Sequence, residues 1–130
     1  MAIVLPVYSP TTFLPVATTG GGDEGTAVQL KHTSGATDTI TRGAFVGLSL
    51  HLTNYGSSTE TMTVRVYRKS DKTDLILEVD VSFTSANDRA YVQPDLPIPF
   101  FNGIWATLED DGSLNRTVNM KPDVLGIAGS

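Results

Sequence analysis

From Thr26 onward, apolar and polar residues alternate with period two in one segment after another. FVGLSLHLTN (Phe45 to Asn54) sets Val46, Leu48, Leu50 and Leu52 on one face and Gly47, Ser49, His51 and Thr53 on the other, as a half-buried strand requires. TMTVRVYRK (Thr61 to Lys69) turns Met62, Val64 and Val66 inward. DLILEVDVSF (Asp74 to Phe83) turns Leu75, Leu77, Val79, Val81 and Phe83 inward and leaves Glu78 and Asp80 to water. Weaker strands read at AVQLKH (Ala27 to His32), RAYVQP (Arg89 to Pro94), GIWATLE (Gly103 to Glu109) and RTVNM (Arg116 to Met120). NYGSSTE, SDKT and EDDGSLN, which separate strands, have hairpin length and turn composition. No window shows the 3.6-residue period of an amphipathic helix. Many short strands with regular turn signals predict an all-β fold, an antiparallel β-sandwich of immunoglobulin-like or jelly-roll type, over residues 26–130.

The first 25 residues break this pattern. MAIVLPVYSPTTFLPVA is apolar but divided by Pro6, Pro10 and Pro15, and the glycine-rich TTGGGDEG follows it. A secretory signal needs a basic start and an unbroken apolar run, and a membrane span needs roughly 20 apolar residues in a helix. The prolines and the lack of Lys or Arg before Asp23 fit neither. The segment reads as an extended N-terminal arm with a flexible joint. Its apolar residues Ile3, Val4, Leu5, Val7, Tyr8, Phe13, Leu14 and Val16 would each contribute about 1.5–3 kcal/mol on full burial. Fixing the backbone costs about 1–2 kcal/mol per residue, so burial needs help from main-chain pairing. Two placements satisfy this: an added strand on the sheet edge of the same or a neighbouring subunit, or the first strand of the domain's own sheet.

The inward faces are consumed by a sandwich core. Apolar surface for a partner is left to the arm, to PDLPIPFFNG (Pro94 to Gly103), with Ile98, Phe100 and Phe101, and to the tail VLGIAGS (Val124 to Ser130).

Length and charge narrow the classes further. One core suits 130 residues, and a net charge of −5 repels phosphate backbones and anionic lipid. Neither nucleic acid nor a membrane is expected as a partner. Arg65, Arg68, Lys69 and Lys72 cluster, but Asp71, Asp74 and Glu78 among them make a solvated strand face. The chain has no cysteine, hence no disulfide framework, thiolate nucleophile or Cys-based metal site.

Candidate chemistry is sparse. His32 and His51 lack ligand partners at strand spacing. Glu109, Asp110, Asp111 and Asn115 invite a calcium reading, but they do not follow the alternating pattern of a calcium loop, and a hairpin turn is the better reading. Glu78 and Asp80 share a strand face without a cleft, and no serine sits in a nucleophile elbow. The Asn115–Thr117 triplet matches a glycosylation acceptor, discounted without a secretory signal. Trp105 reads as a core or interface residue; Trp105 and Tyr67 form the alternative, a shallow sugar-binding or host-adhesion site. No cofactor and no enzymatic activity are expected.

LPIPFFNGIWATLEDDGSLNRTVNM (Leu96 to Met120) resembles the closing hairpin of small β-sandwich virion proteins of tailed bacteriophages. In these a proline-aromatic segment leads through Asn-Gly into a strand, an acidic turn and a last strand. LTNYGSSTETMTVRVYRKSDKTDLILEVDV is similar to their central hairpins. The resemblance implies a non-enzymatic structural role: a capsid decoration or cement protein, or an accessory of the head, neck or tail. It implies a place in the virion after synthesis in the host cytoplasm, with the major capsid protein as partner. By analogy it also implies a homo-oligomer, such as a trimer. In that reading the arm holds the subunit to the shell.

Overall fold

A computed structural model describes residues 7–8, 14–17, 24–30, 42–52, 60–84, 89–110 and 116–125. The described strands are β1 (Val7–Tyr8), β2 (Leu14–Ala17), β3 (Val28–Gln29), β4 (Gly43–Leu52), β5 (Glu60–Tyr67), β6 (Leu75–Phe83), β7 (Arg89–Val92), β8 (Ile98–Phe100), β9 (Trp105–Asp110) and β10 (Thr117–Leu125). No helix occurs among the described residues. Every pair among the described strands is antiparallel. One sheet has the order β1-β10-β4-β7, with β2 also on β10 and β8 also on β4; the other has the order β3-β9-β5-β6. The chain is an all-β antiparallel sandwich, as its alternation predicts.

The inner faces supply a single core. Leu48, Leu50 and Leu52 of β4 meet Val118, Met120 and Val124 of β10. From the other sheet come Met62, Val64 and Val66 of β5 with Ala106 and Leu108 of β9. All are buried.

Two β-bulges correct the simple alternation. In the β4–β10 ladder Gly47 pairs with Asp123 and Phe45 with Val124, so Val46 is an extra residue on β4. An extra residue reverses the parity of what precedes it. Phe45 therefore enters the core at 0% exposure, and Val46, expected on the inner face, is only half-buried. In the β5–β6 ladder Val66 pairs with Leu77 and Tyr67 with Leu75, which makes Ile76 the extra residue. Leu75, expected inward, is 47% exposed, while Ile76 packs against the core.

The described parts of the N-terminal segment take the second of the placements left open by the sequence. β1 pairs Val7 with Leu125 and Tyr8 with Val124; β2 pairs Leu14 to Ala17 with Met120 to Thr117. Both are strands of the chain's own sheet. Val16 is fully buried in the core, out of a partner's reach, which corrects its reading as an interface residue. Ile3, Val4, Leu5 and Phe13 lie outside the described residues, as do His32 and the tail after Leu125. Val124, at the start of the tail segment, is a core residue.

Because Val16 has no water-exposed surface, Val16→Asp places an unpaired charge in the core. We expect a loss of more than about 4 kcal/mol, enough to unfold a marginal domain, measured by denaturant melts followed by circular dichroism. A melt unchanged within error would refute the placement of β2.

Candidate functional site

Two clefts and one polar network bring together the residues with chemical potential. The first cleft, of about 430 Å³, opens between the β5–β6 hairpin loop and the connection from β8 to β9. The loop is closed by the Arg68 N–H on the Asp74 carbonyl at 3.1 Å and the Lys72 N–H on the Lys69 carbonyl at 3.3 Å. Lys72 and Asp74 adopt left-handed backbone angles, φ 64° and 62°, unusual for residues other than glycine. Asp71 steadies the turn by accepting the Thr73 N–H (3.2 Å) and hydroxyl (2.5 Å) on Oδ1.

Arg68 links the two walls. Its Nε and Nη2 each donate to the Asp74 carboxylate at 2.9 Å, a bidentate pair, and its Nη1 donates to the Pro99 carbonyl at 2.9 Å. The Arg68 hydrogen bonds hold the Asp74 carboxyl below its usual value, and the Thr73 hydroxyl does the same for Asp71. On the opposite wall, Gly103 at φ 96° makes a turn that glycine alone adopts freely. Around that turn lie Phe101, 69% exposed, the exposed Asn102 and the half-buried Trp105.

Trp105 thus reaches a cleft, whereas Tyr67, its companion in the sugar-binding alternative, does not. Tyr67 is 6% exposed and its hydroxyl donates to Glu24 at 2.6 Å, so its ring offers no face to a ligand. Of the partner candidates in the β8 region, Phe101 is exposed and Ile98 half-buried. Phe100 is fully buried against the core, which corrects its reading as an interface residue.

The second cleft, of about 460 Å³, lies where the sandwich opens between β6 and the stretch from β7 to β8. Ile76, Leu77, Pro94, Leu96 and Ile98 line it, with Glu78 and Asp95 contributing charge. Leu96 is 75% exposed.

The polar network covers the outer face of the second sheet. Glu24 Oε2 accepts the Tyr67 hydroxyl and the Thr107 hydroxyl and lies 3.8 Å from Arg65 Nη1. Arg65 also donates to Glu78 at 2.6 Å and to Glu109 at 3.3 Å. The cross-strand registers Arg65↔Glu78 and Arg65↔Thr107 place these groups side by side. Burial pushes the Glu24 carboxyl up, but the hydrogen bonds from Thr107 and Tyr67 and the charge of Arg65 outweigh it and hold Glu24 below its ordinary value of 4.5. Burial, then the Glu24 hydrogen bond, pushes Tyr67 up to about 12. Nothing in the sequence marks Glu24, which sits in the glycine-rich joint and meets Thr107 across 83 residues. Arg65, expected on a solvated face with Glu78 among its neighbours, does meet Glu78 but is partly buried, with Glu24 and Glu109 also beside it.

On the outer face of the first sheet, the Tyr91 ring lies over Gly47, where a Cβ would stand 2.1 Å from the Tyr91 hydroxyl. That hydroxyl donates to Asp123 at 3.0 Å. Burial, then the Asp123 bond, pushes Tyr91 up to about 12. The acidic turn is split: Glu109 and Asp110 are successive residues of β9 and so face opposite sides, and Asp111 and Asn115 lie outside the described residues. Asp80 accepts the Thr63 hydroxyl at 2.8 Å across the strand pair.

No family model and no curated protein matches the chain. Among solved structures, the Arthrobacter globiformis T6 isomalto-dextranase complexed with panose aligns over 93% of this chain at 19% identity and a TM-score of 0.35. The chain spans 23% of that protein's chain, and a likeness this low bears on neither fold nor function.

The network has two measurable consequences. A carboxyl held below its ordinary pKa favours the folded state fully above that ordinary value, and the advantage disappears as pH falls through the lower folded value. Glu24→Gln is expected to lower stability near neutral pH by about 1–2 kcal/mol and to narrow the gap in stability between neutral pH and about pH 3. Denaturant titrations at both pH values would show it, and an unchanged gap would refute it.

The raised phenols act at the other end of the scale. Their contribution is whole below the ordinary tyrosine pKa of 10 and is lost as pH rises through about 12. In a phenolate absorbance titration, Tyr67→Phe and Tyr91→Phe should each remove one step near pH 12. If either variant instead removes a step near 10, its hydrogen bond is absent in solution.

Proposed function

We propose that the chain is a structural, non-catalytic subunit of a tailed-phage particle, a decoration or cement protein that docks on the major capsid protein and stabilises the shell. One observation carries the reading. Among the described residues the large exposed apolar side chains are Leu75, Tyr91, Leu96 and Phe101. Leu96 lines the second cleft and Phe101 the first, and Leu75 falls in sequence between Asp74 of the first lining and Ile76 of the second. Apolar surface open to water yet attached to a fully packed core suits a partner surface.

The resemblance of Leu96 to Met120 to virion proteins supports the choice of partner, since the exposed Leu96 and Phe101 lie on the segment that carries it. Docking is assigned to Leu75, Pro94 and Leu96, with Ile98 behind them, because Val16 and the strands around it are engaged in the chain's own sheet. A role at the neck or tail would use the same surface. Repetition of many such contacts over a shell would bring high avidity from weak single contacts.

Both Leu75 and Leu96 are exposed, so changing them leaves the core intact. The wild-type chain is expected to co-sediment with purified capsids of the phage whose genome encodes it. Leu75→Asp combined with Leu96→Asp should reduce the bound fraction by about tenfold or more while the melt stays unchanged. Absence of the chain from purified particles, or undiminished binding by the double variant, would overturn the proposal.

A further inference from the structure

We propose that the cleft between the β5–β6 loop and the β8–β9 turn binds a neutral saccharide, with Phe101 and Trp105 as its aromatic platform. A pyranose ring carries C–H groups on its faces and hydroxyls around its rim, so it seeks an aromatic surface bordered by hydrogen-bonding groups. The cleft supplies that division. Phe101 stands 69% exposed at it and Trp105 is half-buried beside it. Phe101 is not part of the core, which its neighbour Phe100 helps to fill.

The border is polar and fixed. Asn102 offers an amide and Ser70 a hydroxyl, both exposed. Asp71 takes both Thr73 bonds on Oδ1, which leaves Oδ2 as an acceptor. Arg68 is consumed in holding Asp74 and the Pro99 carbonyl, so it positions the walls rather than recognising charge. The loop keeps Lys72 and Asp74 in left-handed conformations, a cost that hydrogen bonding sustains and that leaves the wall preformed.

Charge selects the class. Arg68 and Lys69 balance Asp71 and Asp74, so the cleft carries no net charge for a phosphate, a sialic acid or a cation. The chain's net −5 further disfavours anions. A volume of about 430 Å³ falls within the range of about 300–1,000 Å³ for small-molecule sites. Leu75, Pro94 and Leu96, to which docking is assigned, do not line this cleft, although Phe101 belongs to the exposed apolar surface that the docking reading counts.

Trp105 is the only tryptophan and reports directly on the cleft. The test is tryptophan fluorescence of the full chain titrated with maltotriose, cellotriose, mannotriose, chitotriose and lactose, with sialyllactose as the anionic comparison. At least one neutral sugar is expected to give a saturable change with a Kd of about 1 mM or tighter. Phe101→Ala and Asn102→Ala, both at exposed positions, should each weaken it by about tenfold or more with unchanged melting. No response to any neutral sugar, a response to sialyllactose alone, or equal binding by Phe101→Ala would each overturn the proposal.

Discussion

The structure depends on β10 being paired along both of its edges. On one side β4 runs beside it from Leu52↔Val118 to Ala44↔Leu125; on the other, β2 covers Thr117 to Met120 and β1 covers Val124 and Leu125. The strand is thereby fastened into the middle of a sheet, and Val118, Met120 and Val124 project from it into the core. Pro122 fits this arrangement. Proline cannot donate to a ladder and is normally kept off central strands, but here it falls between the registers of β1 and β2, at the break in that second pairing. β1 and β2 are accordingly part of the fold. An arm free to seize a neighbour would leave this edge of β10 open and Val16 out of the core.

Alternation along the chain was enough to find the central strands, because a strand buried on one face must repeat every two residues. It failed wherever one residue was added. Val46 and Ile76 are as apolar as their neighbours, so nothing in composition distinguishes the bulged residue from a core residue, and only the partner strand's register does. Prolines concealed other strands: β8 contains Pro99, β2 contains Pro15 and β10 extends past Pro122, all positions that local propensity assigns to loops. Cross-strand pairing overrides that preference.

The candidate sites were legible only in part, for a related reason. Trp105 could be singled out by residue type, and Phe101 by its place in a proline-aromatic run. Their meeting with the Arg68–Asp74 loop is a product of topology, in which β5 and β9 are neighbours. Tyr67 and Trp105 are likewise opposite each other in the β5–β9 ladder, yet one is sealed beneath Glu24 while the other borders the cleft. A one-dimensional pattern cannot tell these two fates apart, because they are decided by a glutamate that is remote in sequence.

The bulge at Ile76 also bears on how a partner would be met. β6 pairs with β5 alone among the described strands and is therefore an edge, the usual place for a foreign strand to add. Its bulge twists the edge at the end where the clefts lie, and Glu78 and Asp80 put charge on its outer face. Both features oppose strand addition. The same extra residue turns Leu75 outward, 47% exposed, and so leaves apolar surface where main-chain pairing is discouraged. At this end the molecule therefore offers side chains rather than a free strand, on walls that Arg68 ties together through Asp74 and the Pro99 carbonyl.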